Sequence, residues 1–109
     1  MVAIKNFKRD AQIFKALSDE KRLLILDYLK NGEKCACALI DELEIAQSAL
    51  SYHMKILCQS GIVTSRQDGK WKHYSLSDLG KNFALNRLME LIDIKITSDN
   101  HCHCNRKSS

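Results

Sequence analysis

Lys34 to Ser60 reads KCACALIDELEIAQSALSYHMKILCQS: two short apolar-periodic segments, a brief break between them, and a Cys-Ala-Cys triplet at the front. Leu39, Ile40 and Leu43 recur at helical spacing in the first segment, and Leu50, Met54 and Leu57 do so in the second. The first predicts a helix that begins within Cys35–Ala38 and ends near Leu43. The second predicts a helix from about Gln47 to Ser60, stopped by Gly61. Glu44-Ile45-Ala46 joins them without Gly or Pro. Two such helices across so short a connection form a candidate helix-turn-helix.

Upstream, Ile4, Phe7, Ala11, Phe14 and Leu17 recur at steps of three and four and predict an amphipathic first helix. Ser18 reads as the N-cap of a second helix, with Asp19 and Glu20 in the first turn, where the helix dipole favours negative charge. Leu23, Leu26 and Leu29 form its inner stripe, widened by Ile25 and Tyr28, and Gly32 ends it. Downstream, VTSRQ, Asp68-Gly69 and KWKHY read as a β-hairpin from Val63 to Tyr74. Tyr74 and Leu76 share a parity and are expected to face the core. A last helix runs from Asp78 to about Ile96 and is apolar over more than one stripe, which leaves surface for a homodimer contact. The order is α-α-α-α-β-β-α, mainly α with a small β-hairpin, that of a winged helix-turn-helix domain. Residues 1–97 are assigned to this DNA-binding and dimerisation domain and 98–109 to a flexible tail containing His and Cys.

At 109 residues the chain is long enough for one core and short of two. Its longest strongly apolar run is Leu23-Leu24-Ile25-Leu26, far below the ~18 residues of a membrane span. MVAIKNFKRD has no apolar stretch of the secretory kind, so a cytoplasmic location and no membrane partner are expected. In that reducing compartment the five Cys point to metal binding or redox chemistry rather than to a disulfide framework. The net charge of +4 permits an anionic partner without requiring one.

With Leu50, Met54 and Leu57 inward, the fourth helix turns Gln47, Ser48, Ser51, Tyr52 and Lys55 outward. Short polar groups, an aromatic hydroxyl and one cation suit base edges and phosphates of double-stranded DNA. Arg66, Lys70 and Lys72 cluster at the hairpin tip and can follow the flanking backbone. Singly, each of these residues is as well read as a solvated surface; the ordered set is not. His53, next to the inward Met54, reads as a satisfied core histidine.

Here the sequence resembles a known family. ALSDEKRLLILDYLKNGEKCAC, followed by AQSALSYHMKILCQSGIVTSRQDGKWKHYSL, is similar to the arsenical-resistance repressor (ArsR/SmtB) family over roughly Phe14 to Leu76. The resemblance implies a homodimeric repressor, paired through its first and last helices and released from operator DNA when a metal or metalloid binds. Three positions depart from the family's pattern: Ala46 where Ser is frequent, Ala38 where arsenic sensors often carry Asp, and Ile40 where some supply a third Cys.

The sensing thiols are expected at Cys35 and Cys37. Two residues apart on a regular helix, they point about 200° away from each other; in an extended segment they point the same way. Joint ligation therefore requires a non-helical or unwound start to the third helix, and ligation that reshapes this helix would reach the helix it supports. Thiolates suit soft ions; the resemblance implies As(III) or Sb(III), with Cd(II), Pb(II), Zn(II) or thiol oxidation as alternative signals. The family's zinc site on the last helix uses His, and Asp78–Ile96 has none. Cys58 reads as a small buried hydrophobe. Cys102 and Cys104, or water or a small thiol, are candidates for the third ligand. An enzyme built on Cys-x-Cys weighs little, because the spacing and the surrounding elements are not those of a thiol oxidoreductase.

Overall fold

The computed structural model describes residues 6–96. Its elements are α1 (Lys8–Ala16), α2 (Glu20–Leu29), β1 (Lys34–Cys35), α3 (Ala36–Leu43), α4 (Gln47–Ser60), β2 (Val63–Asp68), β3 (Trp71–Leu76) and α5 (Asp78–Leu91). The helix-turn-helix bounds and the hairpin agree with the sequence reading. The hairpin, however, belongs to a three-stranded antiparallel sheet ordered β1-β3-β2, with Lys34 opposite Tyr74 and Cys35 opposite His73. A two-residue strand is too short to carry an alternating pattern, so β1 left no sequence signal.

The core gathers Ile13, Ile25, Leu39, Leu50, Met54 and Leu57 from four helices and closes on Val63 and Tyr74 of the sheet. Several expected faces are rotated. In α1 the buried residues are Asp10, Ile13 and Ala16, while Phe7 (49% exposed) and Ala11 face outward; Ile4 lies outside the described residues. In α2 the buried set is Arg22, Ile25 and Leu29, and Leu23 is 48% exposed. The reason lies in Arg22, whose buried guanidinium turns the helix: Nε donates to Ala16 O (3.0 Å), Nη2 to Lys15 O (3.1 Å) and Nη1 to His53 Nδ1 (3.1 Å).

The N-cap of α2 is Asp19 rather than Ser18. Asp19 has extended backbone, and its carboxylate accepts from Lys21 N (2.8 Å) and Arg22 N (3.2 Å). Ser18 instead donates to Lys15 O at the end of α1 (2.9 Å). The hairpin loop is Gly69-Lys70, one residue later than Asp68-Gly69, because Gly69 takes the first loop position at φ 64° and Asp68 still pairs with Trp71. Leu76 is 40% exposed, not in the core: with Leu23, Leu26 and Leu85 it lines a groove of about 520 Å³ between α2 and α5. The last helix stops at Leu91, short of Ile96, where β-branched Ile92, Ile94 and Ile96 alternate with Asp93 and Lys95 and find no apolar cover in the protomer.

Helix α5 buries none of its residues and is held at its start and along one edge. Ser77 N donates to Ile62 O (2.9 Å), and the Ser77 hydroxyl caps Gly80 N (3.0 Å). A Cβ on Gly80 would run into the Gly61 carbonyl. Farther along, Arg87 clamps Asp10 of α1 with Nε–Oδ1 at 2.7 Å and Nη2–Oδ2 at 3.0 Å, and this pairing holds the Asp10 carboxyl below its ordinary range.

Two outcomes follow. Helix propensity alone would make Gly80→Ala stabilising by about 1 kcal/mol, but the backbone collision makes it destabilising by about 3 kcal/mol or more; urea unfolding decides the sign. Because the folded-state value of Asp10 is depressed, its contribution is complete above the unfolded carboxylate value of about 3.9 and is lost as pH falls through the lower folded value. Asp10→Asn is therefore less stable than the parent at neutral pH, and its acid-unfolding curve is shallower below about pH 4; superimposable curves would exclude the Asp10–Arg87 clamp as a source of stability.

Candidate nucleic-acid interface and thiol pair

Helix α4 presents one face to the core and the opposite one to solvent. Gln47, Ser48, Ser51, Tyr52 and Lys55 are all exposed, as the periodicity requires. The chain enters α4 through Glu44, a non-glycine residue at φ 51° whose N–H closes on Ile40 O, so the turn forms without glycine. Ala46, the N-cap, supplies no side-chain acceptor, which leaves first-turn amides of α4 open to an anion. His53 is engaged from behind. Arginine can only donate, so Nδ1 of His53 accepts from Arg22, and the ring lies edge-on to Tyr52 at 5.3 Å.

The wing carries the other expected cations, and Arg66, Lys70 and Lys72 are exposed. They are not equivalent. Arg66 is gripped by Glu33 in a bidentate pair, both contacts 2.7 Å, and lies 3.9 Å from Asp68. The guanidinium hydrogen bond holds the Glu33 carboxyl low and Arg66 high. Lys70 and Lys72 have no acidic partner within 4.0 Å among the described residues. Two residues escaped the sequence reading. Trp71, 52% exposed beside Lys70, offers an aromatic surface at the wing tip. Glu33 could not be paired with Arg66 from a sequence separation of 33.

Cys35 and Cys37 come together. Cys35 is both the last residue of β1 and the N-cap of α3, with extended φ −78° and ψ 156°, while Cys37 lies in the first helical turn. Their sulfurs are 2.7 Å apart, and Ala38 N–H points at Cys35 Sγ (3.4 Å). The Cys37 hydrogen bond, then the Ala38 amide, pull the Cys35 thiol below its ordinary value; the same shared proton pushes Cys37 up. The pair thus loses its first proton early and its second late. A tetrahedral ion bonded to two sulfurs at ~2.3 Å would set them about 3.8 Å apart, so side-chain rotation brings the observed pair to that spacing. The condition for joint ligation, a non-helical or unwound start to the third helix, is met by the non-helical Cys35.

These two sulfurs fit two coordination positions of a thiophilic ion. Among the described residues no cluster of three or more His, Cys, Asp or Glu could hold a metal. Cys102 and Cys104 lie outside the described residues. Cys58 sits half-buried between α4 and the wing, where burial raises its thiol more than Lys72 and Ser65 lower it.

A helix-turn-helix with an exposed polar reading face, flanked by a basic β-wing, defines a winged helix-turn-helix DNA-binding regulator. Residues 19–65 match the family model described as "Bacterial regulatory protein, arsR family". The arsenical resistance operon repressor of Staphylococcus aureus is 38% identical over 104 residues, spanning 95% of this chain and 96% of its own. The cadmium resistance transcriptional regulatory protein CadC homolog of the same organism is 39% identical over 69 residues, 62% of this chain and 57% of its own. The solved structure of an ArsR-like transcriptional regulator from Rhodococcus superposes with a TM-score of 0.69 at 28% identity, covering 78% of each chain. The chain belongs to the arsR family. It is a transcriptional regulator and not an enzyme, and none of its described helices is long and apolar enough to cross a membrane.

The shared proton is directly measurable. In alkylation mapped by peptide mass, Cys35 reacts with a pH midpoint below the ordinary thiol value of about 8.5, and Cys37→Ser raises that midpoint. An unchanged midpoint in Cys37→Ser would rule out the thiol–thiol hydrogen bond.

Proposed function

We propose that the protein is a thiophile-responsive repressor that binds two-fold operator DNA as a homodimer and lets go when As(III) or Sb(III) is ligated by Cys35 and Cys37. The observation that carries this reading is the convergence of the two sulfurs to 2.7 Å at the start of α3, the helix packed against α4. The names of the arsenical resistance relatives support the choice of ion. Gln47, Ser48 and Tyr52 meet base edges in the major groove, while Ser51, Lys55, Lys70 and Lys72 meet phosphates. Arg66 reaches phosphate only if it leaves Glu33.

The route from thiols to DNA runs through backbone. Cys35 is paired with His73 of β3, and Glu33, two residues earlier, grips Arg66 of β2. A change at Cys35 is thus felt by the wing as well as by α3. Dimerisation through α1 and α5 fits the exposed apolar groups those helices carry, among them Phe7, Leu85, Leu88 and Met89 (67% exposed). The third ligand comes from Cys102 or Cys104, from a small thiol or from water.

A second reading keeps the operator and changes the signal to oxidation of the thiol pair, favoured by the lowered Cys35 beside a second thiol. Cd(II), Pb(II) or Zn(II) would use the same sulfurs, and the cadmium relative supports that choice. Reduced protein titrated with each ion separates the signals. Arsenite releases the parent from operator DNA, whereas Cys35→Ser binds DNA within about 2-fold of the parent, under ~0.4 kcal/mol, and needs at least tenfold more arsenite. Equal release of Cys35→Ser and parent would overturn the thiol assignment.

A further inference from the structure

A recess of about 260 Å³ lies between the recognition helix and the wing, floored by Met54. Helix α4 contributes Ser51, Lys55 and Cys58 to its wall; the strands contribute Ser65, Lys72 and Tyr74. This volume is ample for one phosphate group with some of its hydration. The wall carries two lysines, two serine hydroxyls and no carboxylate. Among the described residues neither Lys55 nor Lys72 has an acidic partner within 4.0 Å. Lys72 instead lies over the Tyr74 ring, Nζ to centroid 5.9 Å, a position open to an anion. Ser51, Lys55, Ser65 and Lys72 are exposed, so the mouth opens on the side of the reading face.

We propose that this recess is the seat of a single DNA backbone phosphate, held jointly by Lys55 and Ser51 from the helix and by Lys72 and Ser65 from the wing. The inference rests on the operator-binding reading above and adds to it a residue, Ser65, and a geometry in which one phosphate bridges two elements. An anion gains from two cations at once, and each lysine is relieved of the other's repulsion. Cys58 does not oppose this. Burial raises its thiol, so it is uncharged at neutral pH beside the phosphate. Arg66, by contrast, is neutralised by Glu33 and lies outside this wall. The seat fixes the angle between recognition helix and wing when DNA is bound, so a disturbance of the β1–β3 pairing at Cys35 reaches it through the strand that carries Lys72.

The test uses the full chain and a duplex selected by the parent protein from random sequence, with single phosphates replaced one at a time by uncharged methylphosphonates. Binding is followed by anisotropy across a salt series. Lys72→Gln is expected to weaken binding about tenfold and to reduce the slope of log K against log salt by about 0.9 per bound protomer. One phosphate position per half-site should then weaken the parent when neutralised and weaken Lys72→Gln markedly less, and Ser65→Ala should show reduced sensitivity to that same position. Matching thermal unfolding curves keep the comparison free of folding defects, Lys72 and Ser65 being exposed. If the parent binds and is released by arsenite while Lys72→Gln loses as much as the parent at every neutralised phosphate, the seat is wrong and the repressor reading stands. Failure of the parent to select any duplex removes both.

Discussion

The buried guanidinium of Arg22 is the constraint on which the arrangement of helices depends. It lies 5% exposed, with no carboxylate ion-pair partner among the described residues. Its charge is met by Ala16 and Lys15 carbonyls at the end of α1, the negative pole of that helix, and by the ring nitrogen of His53 on α4. One side chain of α2 therefore locates both the helix before it and the recognition helix. Each contact is modest, but a buried cation deprived of its acceptors is costly, typically ~1–3 kcal/mol per unsatisfied group. The orientation of α2 is set by this group rather than by its leucines, which explains why Leu23 faces outward. Nδ1 of His53 is engaged in the same act.

The thiol pair is built into the join between sheet and helix. Cys35 is at once the last strand residue and the N-cap of α3; its Sγ meets Cys37 Sγ, and the Ala38 amide stabilises its thiolate. That same backbone is paired with β3, one of the two strands of the wing. The Glu33–Arg66 bridge adds a side-chain link in parallel. A regulator needs such a junction, because a ligand shifts an equilibrium only through contacts that differ between the two states. Here three consecutive residues, Glu33 to Cys35, carry one of the thiols and the contacts to the wing.

Apolar surface is distributed unevenly over the protomer. The core is filled by four helices and two sheet residues, yet α5 buries nothing and α1 keeps Phe7 outside. An isolated helix with this much exposed apolar surface would be marginal in water. Gly80 against Gly61 and the Asp10–Arg87 clamp hold α5 in place, so its exposed side chains are presented at a fixed angle. This is the surface expected of a helix whose packing is completed by a second copy.

The amino-acid sequence by itself determined the helix-turn-helix bounds, the reading face of α4, the hairpin and the pair of thiols. Each is written in a local period, a cap or a turn residue: Leu50, Met54 and Leu57 for the face, Gly61 at φ 86° for the stop, Gly69 for the loop. Its periodicity favoured the Phe7–Ala11 stripe in α1 and the Leu23 stripe in α2, whereas α1 buries Asp10, Ile13 and Ala16 and α2 buries Arg22, Ile25 and Leu29. Only the tertiary structure decided that, through a polar group, Arg22, whose partners lie six and thirty-one residues away. It likewise decided that Arg66 is held by Glu33 and that the two thiols need no unwinding to meet. These depend on β1, a strand of two residues that exists only because β3 is there to pair with it. Periodicity reports the neighbours along one element; it contains no term for a hydrogen bond that joins two of them.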